Sequence, residues 1–148
     1  MKRGGIARHD LVINSEIRKL FQALQAEEIR ATKECVKDIE NLVRVDVKKF
    51  AVQFFRDFTR FDFEQHNRFE KLTLNKKQKE RIEGKILWRY EYRNNMNFRC
   101  IFILKEDYNI KNPILLCAFV EDGDKRRGIN SYPSNIERAI RLIRKYEL

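Results

Sequence analysis

Two neighbouring stretches of the chain carry charged side chains in patterns that are typical of a β-hairpin. In residues 88–93 aromatic and charged side chains alternate. The aromatic residues are Trp88, Tyr90 and Tyr92, and the charged residues between them are Arg89, Glu91 and Arg93. Residues 98–104 are almost wholly apolar apart from Arg99. Burying an unpaired guanidinium is costly, so Arg99 must have a partner or a function. The pattern leaves two alternatives open: a salt bridge to Glu91 across the hairpin, or contact with a ligand.

Positive charge is concentrated in the second half of the chain. The sequence has 32 Lys and Arg against 22 Asp and Glu, a net charge of +10, and residues 76–148 supply +7 of it from 17 cations and 10 anions. This distribution predicts an anionic partner for the C-terminal half. A nucleic acid is favoured over a membrane, because no stretch approaches the length of an apolar spanning helix and the start shows no signal-peptide core. We therefore expect a cytoplasmic protein.

The cysteines and histidines do not form a recognisable metal or disulfide pattern. Cys35, Cys100 and Cys117 lie among apolar neighbours without a CxxC pair, which predicts buried thiols in a reducing compartment. His9 and His66 are not at ligand spacing from a cysteine, so no zinc site is expected. We predict neither a metal nor a cofactor.

The N-terminal part of the chain predicts one long helix after a basic tail at residues 1–9. From about Asn14 to Leu42 there is no proline or glycine, and apolar residues recur at helical spacing, so Asn14 or Ser15 is the expected cap. The apolar stripe is interrupted at Glu27 and Glu28. The helix therefore either packs on its own domain or presents a face to another chain.

The remaining elements predict a small sheet with helices. In order they are a strand at Val43–Val47, a helix from Lys48 to about Phe63, a lysine-rich segment at 76–85, the hairpin, a buried strand at Ile114–Val120, and a last helix capped by Ser134. Strands gathered after helices indicate an α+β fold, an antiparallel or mixed sheet with helices on one face. There is no phosphate-binding glycine motif.

At the level of motifs, the C-terminal half resembles the RelE/ParE superfamily of bacterial type II toxins. The hairpin carries the resemblance through Trp88, Glu91, Arg93, Phe98, Arg99 and Phe102. A second match is an apolar strand ending at Phe119, then a cationic loop in which Arg126 stands six residues before Tyr132, the spacing of the RelE ribonuclease branch. Val45–Ala51 resembles the first strand of the family entering its first helix. The resemblance thus divides the chain into an N-terminal extension, residues 1–42, and a toxin-like domain, residues 43–148.

This resemblance implies metal-independent cleavage of messenger RNA, often on the ribosome, and control by an antitoxin protein. A ribose 2′-hydroxyl attacks the adjacent phosphate, and fixed guanidiniums stabilise the charge that develops. By position, Arg99 and Arg126 would hold the phosphate and Arg93 would support it, with Arg127 as a substitute for Arg126. Tyr132 would stack on a base or take part in proton transfer.

The chain also departs from the RelE pattern at two strand positions. Arg89 and Glu91 stand where that branch has lysines that face the substrate, and an arginine is a poor general base. Glu91 is therefore either the base or a carboxylate that neutralises the arginines around it. Arg89, Lys125, Arg127 and Lys85 are expected to contact RNA. The alternative function is a non-catalytic binding module of the same fold, either a ParE-like topoisomerase inhibitor or a mobile-element protein. The oligomeric state is left open.

Overall fold

The sheet has five strands in the order β1-β5-β4-β3-β2. The structure is a computed structural model that describes residues 8–45, 49–60, 67–92, 97–107, 110–121 and 131–148. Strands β2 to β5 pair antiparallel in chain order, and the short β1 pairs parallel to β5. The bounds are β1 Arg30–Ala31, β2 Phe69–Lys71, β3 Trp88–Tyr92, β4 Phe98–Asp107 and β5 Ile110–Val120. The α+β class and the mixed sheet are confirmed, as is the hairpin.

Helices cover both faces of the sheet, whereas the sequence predicted that they would lie on one. The bounds are α1 Arg8–Gln25, α2 Lys33–Val45, α3 Lys49–Arg60, α4 Lys76–Arg81 and α5 Tyr132–Lys145. Side chains of α1, α2 and α3 share one apolar cluster with one face of the sheet, and side chains of α5 share a second cluster with the other face. Strands β4 and β5 explain this arrangement, because each of them sends apolar residues to both sides of the sheet.

The prediction of one long N-terminal helix was wrong. Helix α1 ends at Gln25, Glu27 adopts a positive φ of 60°, and the chain then forms β1 beside β5. Thr32 fixes the restart: its N–H donates to the Leu115 carbonyl, its hydroxyl donates to the Leu116 carbonyl, and its Oγ1 accepts the N–H of Cys35 in α2. This is an N-cap held by the sheet, so it cannot be recognised from local periodicity alone.

The strand predicted at Val43–Val47 was also wrong over the residues described, because α2 continues to Val45. Residues 46–48 lie outside the described part of the chain. The expected boundary at residue 42 falls inside α2, and one apolar cluster contains Leu20 of α1, Ile39 of α2 and Phe54 of α3. The predicted N-terminal extension therefore contributes to the same core as the sheet.

The last helix begins one turn earlier than its predicted cap. Ser131, not Ser134, is the N-cap, and its Oγ accepts the N–H of Ser134 at 3.4 Å. Pro133 stands in the first turn, where its missing N–H costs nothing. As a result Tyr132 is the first residue of α5 and lies beside the end of β5.

The three thiols are confirmed as free and buried. Burial raises the pKa of Cys35, Cys100 and Cys117, so they are protonated at neutral pH. Within the described ranges, no helix combines the length and the apolar character that crossing a bilayer would require.

Candidate functional site

Glu91 and Arg99 face each other across the hairpin. They are direct partners in the register of β3 and β4, which places both side chains on the face that α5 covers. Arg99 Nε lies 3.2 Å from Glu91 Oε2, and the two side chains are each only 7% exposed. Of the two alternatives for Arg99, the salt bridge to Glu91 is therefore present, and it is buried.

A chain of alternating charges extends from this pair in both directions. Arg89, two residues before Glu91 on the same face, forms ion pairs with Glu91 and with Glu70. On the other side, Arg99 Nε donates to Glu121 Oε1 at 2.9 Å. The outer carboxylates lie nearer to solvent, with exposures of 62% for Glu70 and 29% for Glu121. Glu91 is thus the inner carboxylate that two guanidiniums share.

Tyr132 reaches the same carboxylate from the start of α5. Its O–H donates to Glu91 Oε2 at 2.7 Å, and its ring packs edge-on against Phe119 with centroids 5.4 Å apart. Burial raises the pKa of Tyr132 well above its usual value, and the hydrogen bond to Glu91 raises it further. The phenol therefore keeps its proton and acts as a donor.

Arg89 remains cationic in this cluster. Burial alone would lower its pKa, but its contacts with Glu91 and Glu70 outweigh that cost and the net shift is upward. Arg99 also donates from an Nη to the carbonyl of Phe98 at 3.2 Å, which fixes the direction of its guanidinium. Each cation is thus held in one orientation before any ligand arrives.

The structure brings together four of the residues that the sequence selected: Glu91, Arg99, Tyr132 and Arg89. It does not bring Lys85 to them. Lys85 lies before β3, at the end of that strand away from Glu91, and donates to the Leu148 carbonyl. Arg93, Lys125, Arg126 and Arg127 lie outside the described residues.

Glu70 and Glu121 belong to the site but were not selected from the sequence. For Glu121 the signal was available, since it directly follows β5, whose last residue pairs with the first residue of β4. Its N–H donates to the Asn97 carbonyl at 2.8 Å, which continues that ladder. A carboxylate there must lie close to Arg99.

Comparisons of the chain with protein-family models, curated proteins and solved structures found no match. The function must therefore be argued from the site itself.

A second buried carboxylate lies on the opposite face of β3. Asp57 of α3 accepts the O–H of Tyr90 at 2.7 Å and a side-chain N–H of Gln53 at 2.9 Å, and Arg68 Nε lies 3.5 Å away. Burial raises the pKa of Tyr90, as the hydrogen bond to Asp57 also does. Sequence reasoning missed this cluster because α3 shows only an apolar stripe.

The Glu91 cluster has the components of a site that transfers a proton next to a phosphate. A carboxylate held by two cations and a phenol has a fixed orientation, and it can accept a proton. Two guanidiniums close to that carboxylate can stabilise a phosphate that gains negative charge. Among the described residues, no group of three His, Cys, Asp or Glu side chains is arranged to ligate a metal ion.

Proposed function

We propose that the protein is a metal-independent endoribonuclease of the RelE toxin class, which cleaves messenger RNA. One observation carries the proposal: Glu91 is shared by Arg99, Arg89 and the phenol of Tyr132, which come from three different elements. These are residues that the toxin-like hairpin and the start of the last helix were expected to supply. The fold supports the proposal by placing them on one face of the sheet.

In this mechanism Glu91 is the general base. Its carboxylate accepts the proton of a ribose 2′-hydroxyl, and the 2′-oxygen attacks the adjacent phosphorus while the bond from phosphorus to the 5′-oxygen breaks. Arg99 and Arg89 stabilise the negative charge that develops on the phosphoryl oxygens. The products are one RNA end with a 2′,3′-cyclic phosphate and one with a 5′-hydroxyl.

Tyr132 completes the proton transfer. The leaving 5′-oxygen needs a proton, and the phenol holds one because its pKa is raised by burial and by Glu91. Tyr132 donates this proton, and the protonated Glu91 returns one through the 2.7 Å hydrogen bond that joins the two side chains. Both groups are then restored for the next turnover.

Substrate binding requires the outer carboxylates to yield to phosphate. Glu121 forms an ion pair with Arg99, and Glu70 forms one with Arg89. Both of these carboxylates are more exposed than that of Glu91. The pair of Glu70 with Arg89 is the more exposed of the two, so an RNA phosphate replaces Glu70 at lower cost than Glu121. Arginine is suited to this exchange, since the same guanidinium binds carboxylate or phosphate.

The proposal extends to the setting that the resemblance implies. The substrate is messenger RNA on the ribosome, the protein acts in the cytoplasm, and an antitoxin protein inhibits it. Arg93, Arg126, Arg127 and Lys125 are assigned supporting contacts to RNA on sequence grounds alone.

The test is to incubate the full chain with messenger RNA, with and without ribosomes and with a metal chelator present, and to identify the product ends. We expect 2′,3′-cyclic phosphate and 5′-hydroxyl ends, and no cleavage where the attacking ribose is replaced by deoxyribose. E91Q, R99K and Y132F should each reduce the rate. E137Q is the matched control, because Glu137 pairs with Arg81 on another surface. Cleavage that is unaffected by all three changes would overturn the proposal.

A non-catalytic binding module is the second candidate. It is favoured by the burial of Arg99, which is 6% exposed as a whole residue and already contacts Glu91 and Glu121. In that case the charges only stabilise the fold, and the protein binds its target without cutting it. RNA binding with a steep salt dependence but no product ends would support this function instead.

A further inference from the structure

A basic groove lies at the end of β3 away from Glu91. It encloses about 530 Å³ between the ends of β2 and β4 and the turn that follows α4. Gly84 makes that turn with a φ of +77°, which side chains rarely adopt, and so brings Lys85 and Ile86 to the groove. The groove therefore combines residues from four segments of the chain.

The charge of the groove is uniform. Lys71, Lys85 and Lys105 line it, and none of the described residues that line it carries a carboxylate. This is the reverse of the Glu91 cluster, where each cation contacts a carboxylate. Lys85 Nζ donates to the Leu148 carbonyl, and with no carboxylate in the described lining Lys71 and Lys105 attract a polyanion from solution.

Apolar surface lies between these lysines. Trp88 is partly exposed, and its ring stacks on Phe102 with centroids 6.3 Å apart at 22°, which fixes the plane of the indole. Lys71 Nζ lies 5.5 Å from the centre of that ring. Ile86 is 50% exposed and is the large apolar side chain most open to solvent among the described residues. A fixed aromatic ring beside cations is the arrangement that binds single-stranded nucleic acid, with stacked bases and neutralised phosphates.

We propose that this groove is a second RNA-binding surface, which holds a single-stranded segment of the substrate outside the cleavage site. Trp88 precedes Glu91 by three residues, so the two sites lie roughly 10 Å apart along β3. The choice of RNA as the polyanion rests on the proposed function, but the groove itself does not. Lys85, which sequence reasoning assigned to RNA contact, acts here and not at Glu91.

The experiment uses the only tryptophan of the chain as a reporter. Trp88 fluorescence is measured while the full chain is titrated with 2′-O-methyl RNA of about 12 nucleotides, which can be bound but not cleaved. We expect quenching. The double variant K71E/K105E should weaken binding ten-fold or more and lower the salt slope by about 1.4, the value for two phosphate contacts.

The matched control is K76E/K79E, which makes the same change of charge at two exposed lysines of α4 outside the groove. It should weaken binding less than three-fold. Equal losses of RNA affinity in the two double variants would overturn the proposal that the groove binds RNA. The absence of any change in Trp88 fluorescence on binding would overturn it as well. Stronger quenching by a glutamate peptide of equal charge than by RNA would also overturn it, in favour of an acidic protein partner.

The two proposals can fail separately. If E91Q abolishes cleavage while Trp88 quenching and affinity are kept, both stand. If the wild type never cleaves RNA but K71E/K105E alone loses affinity for RNA, the proposal of an RNA-binding groove holds and the proposal of an endoribonuclease is wrong. If cleavage occurs and K71E/K105E binds RNA like the wild type, the groove fails and the endoribonuclease stands.

Discussion

The two faces of β3 each carry a buried carboxylate that accepts a tyrosine hydroxyl and lies near arginine. On the α3 face Asp57 accepts from Tyr90, and on the α5 face Glu91 accepts from Tyr132, both at 2.7 Å. Both carboxylates are almost fully buried, at 5% and 7% exposure. The residue types are nearly the same, so the difference in their surroundings decides what each can do.

The cations distinguish the two faces. Among the described residues Asp57 has one arginine nearby, Arg68, which is 31% exposed and 3.5 Å away, and its other bonds there come from neutral donors. Phenylalanine rings of α3 and β2 pack around Tyr90. In the described part of the chain two arginines contact Glu91, 18% and 7% exposed, and the outer carboxylates that pair with them lie near solvent. Under the proposed function the first group stabilises the fold, whereas the second exchanges a carboxylate for a phosphate.

The largest expected effect separates these carboxylates. E91Q removes the base, so the cleavage rate should fall by at least 100-fold. D57N should leave the rate within about three-fold, because Asp57 does not touch the substrate, and should cost about 1–3 kcal/mol of stability through its lost charge. Single-turnover cleavage and urea unfolding measure the two quantities. E91Q also leaves two buried arginines with less compensation, so its rate is taken per folded molecule, with folding checked by circular dichroism.

The tyrosines give a sharper version of the same contrast. Y132F removes one hydroxyl and should reduce cleavage by about 10- to 100-fold, since the leaving oxygen loses its proton donor. Y90F should reduce stability by about 1–2 kcal/mol, because Asp57 loses a buried donor, and should leave cleavage unchanged. Equal losses of activity in the two variants would show that the faces do not differ in function.

Glu121 tests whether the outer carboxylates are displaceable. E121Q frees Arg99 from a competing anion, so the affinity for uncleavable RNA should rise about two- to five-fold, as expected for a partly exposed ion pair. The measurement is fluorescence anisotropy of labelled 2′-O-methyl RNA at constant salt. E137Q is again the control, because it removes a carboxylate that pairs with Arg81. Weaker binding by E121Q would indicate that Glu121 holds Arg99 in place and does not compete for it.

A cluster at the surface, formed by Glu34, Lys145 and Tyr146, can be compared with the two buried carboxylates. Glu34 accepts from Lys145 and Tyr146, each at 2.7 Å, and these bonds, led by that from Lys145, lower its pKa from 4.5 to about 2. Since its folded pKa is depressed, its contribution is present above pH 4.5 and is lost as pH falls towards 2. E34Q should lower the Tm by about 1 °C at pH 7, because exposed pairs contribute little. The difference from wild type should shrink between pH 4.5 and 2. A constant difference would contradict the assignment.

The sequence predicted the hairpin, because alternation fixes the face of each residue, and it offered the Glu91–Arg99 salt bridge as one of two alternatives for Arg99. Tyr132 was selected through the resemblance to the toxin family, in which a tyrosine follows an arginine at this spacing. The sequence could not show that the phenol meets Glu91, since that contact depends on Ser131 starting α5. The break after α1 was missed because Thr32 is held by Leu116 of β5, which is 84 residues away along the chain. Long-range hydrogen bonds of this kind leave no local pattern.

Asp57 illustrates the same limit at the core. In the sequence of a helix Asp57 looks like an ordinary polar residue. The hydrogen bonds from Tyr90 and Gln53 offset the cost of burying its carboxylate. Lys85 was grouped with the site residues by charge alone, and the structure places it at the other end of β3. The sequence pattern therefore predicts the helices and strands and the face on which each residue lies. Which charged residues contact each other depends on how the strands pair in the sheet.

The central claim is that Glu91 is a base and Asp57 is not. The most direct test is the single-turnover cleavage of one oligoribonucleotide by the wild type, E91Q and D57N, with product ends identified in each reaction. The account predicts cyclic phosphate ends from the wild type and D57N at similar rates, and a loss of at least 100-fold in E91Q. Equal rates for E91Q and D57N, or no cleavage by a folded wild type, would contradict it.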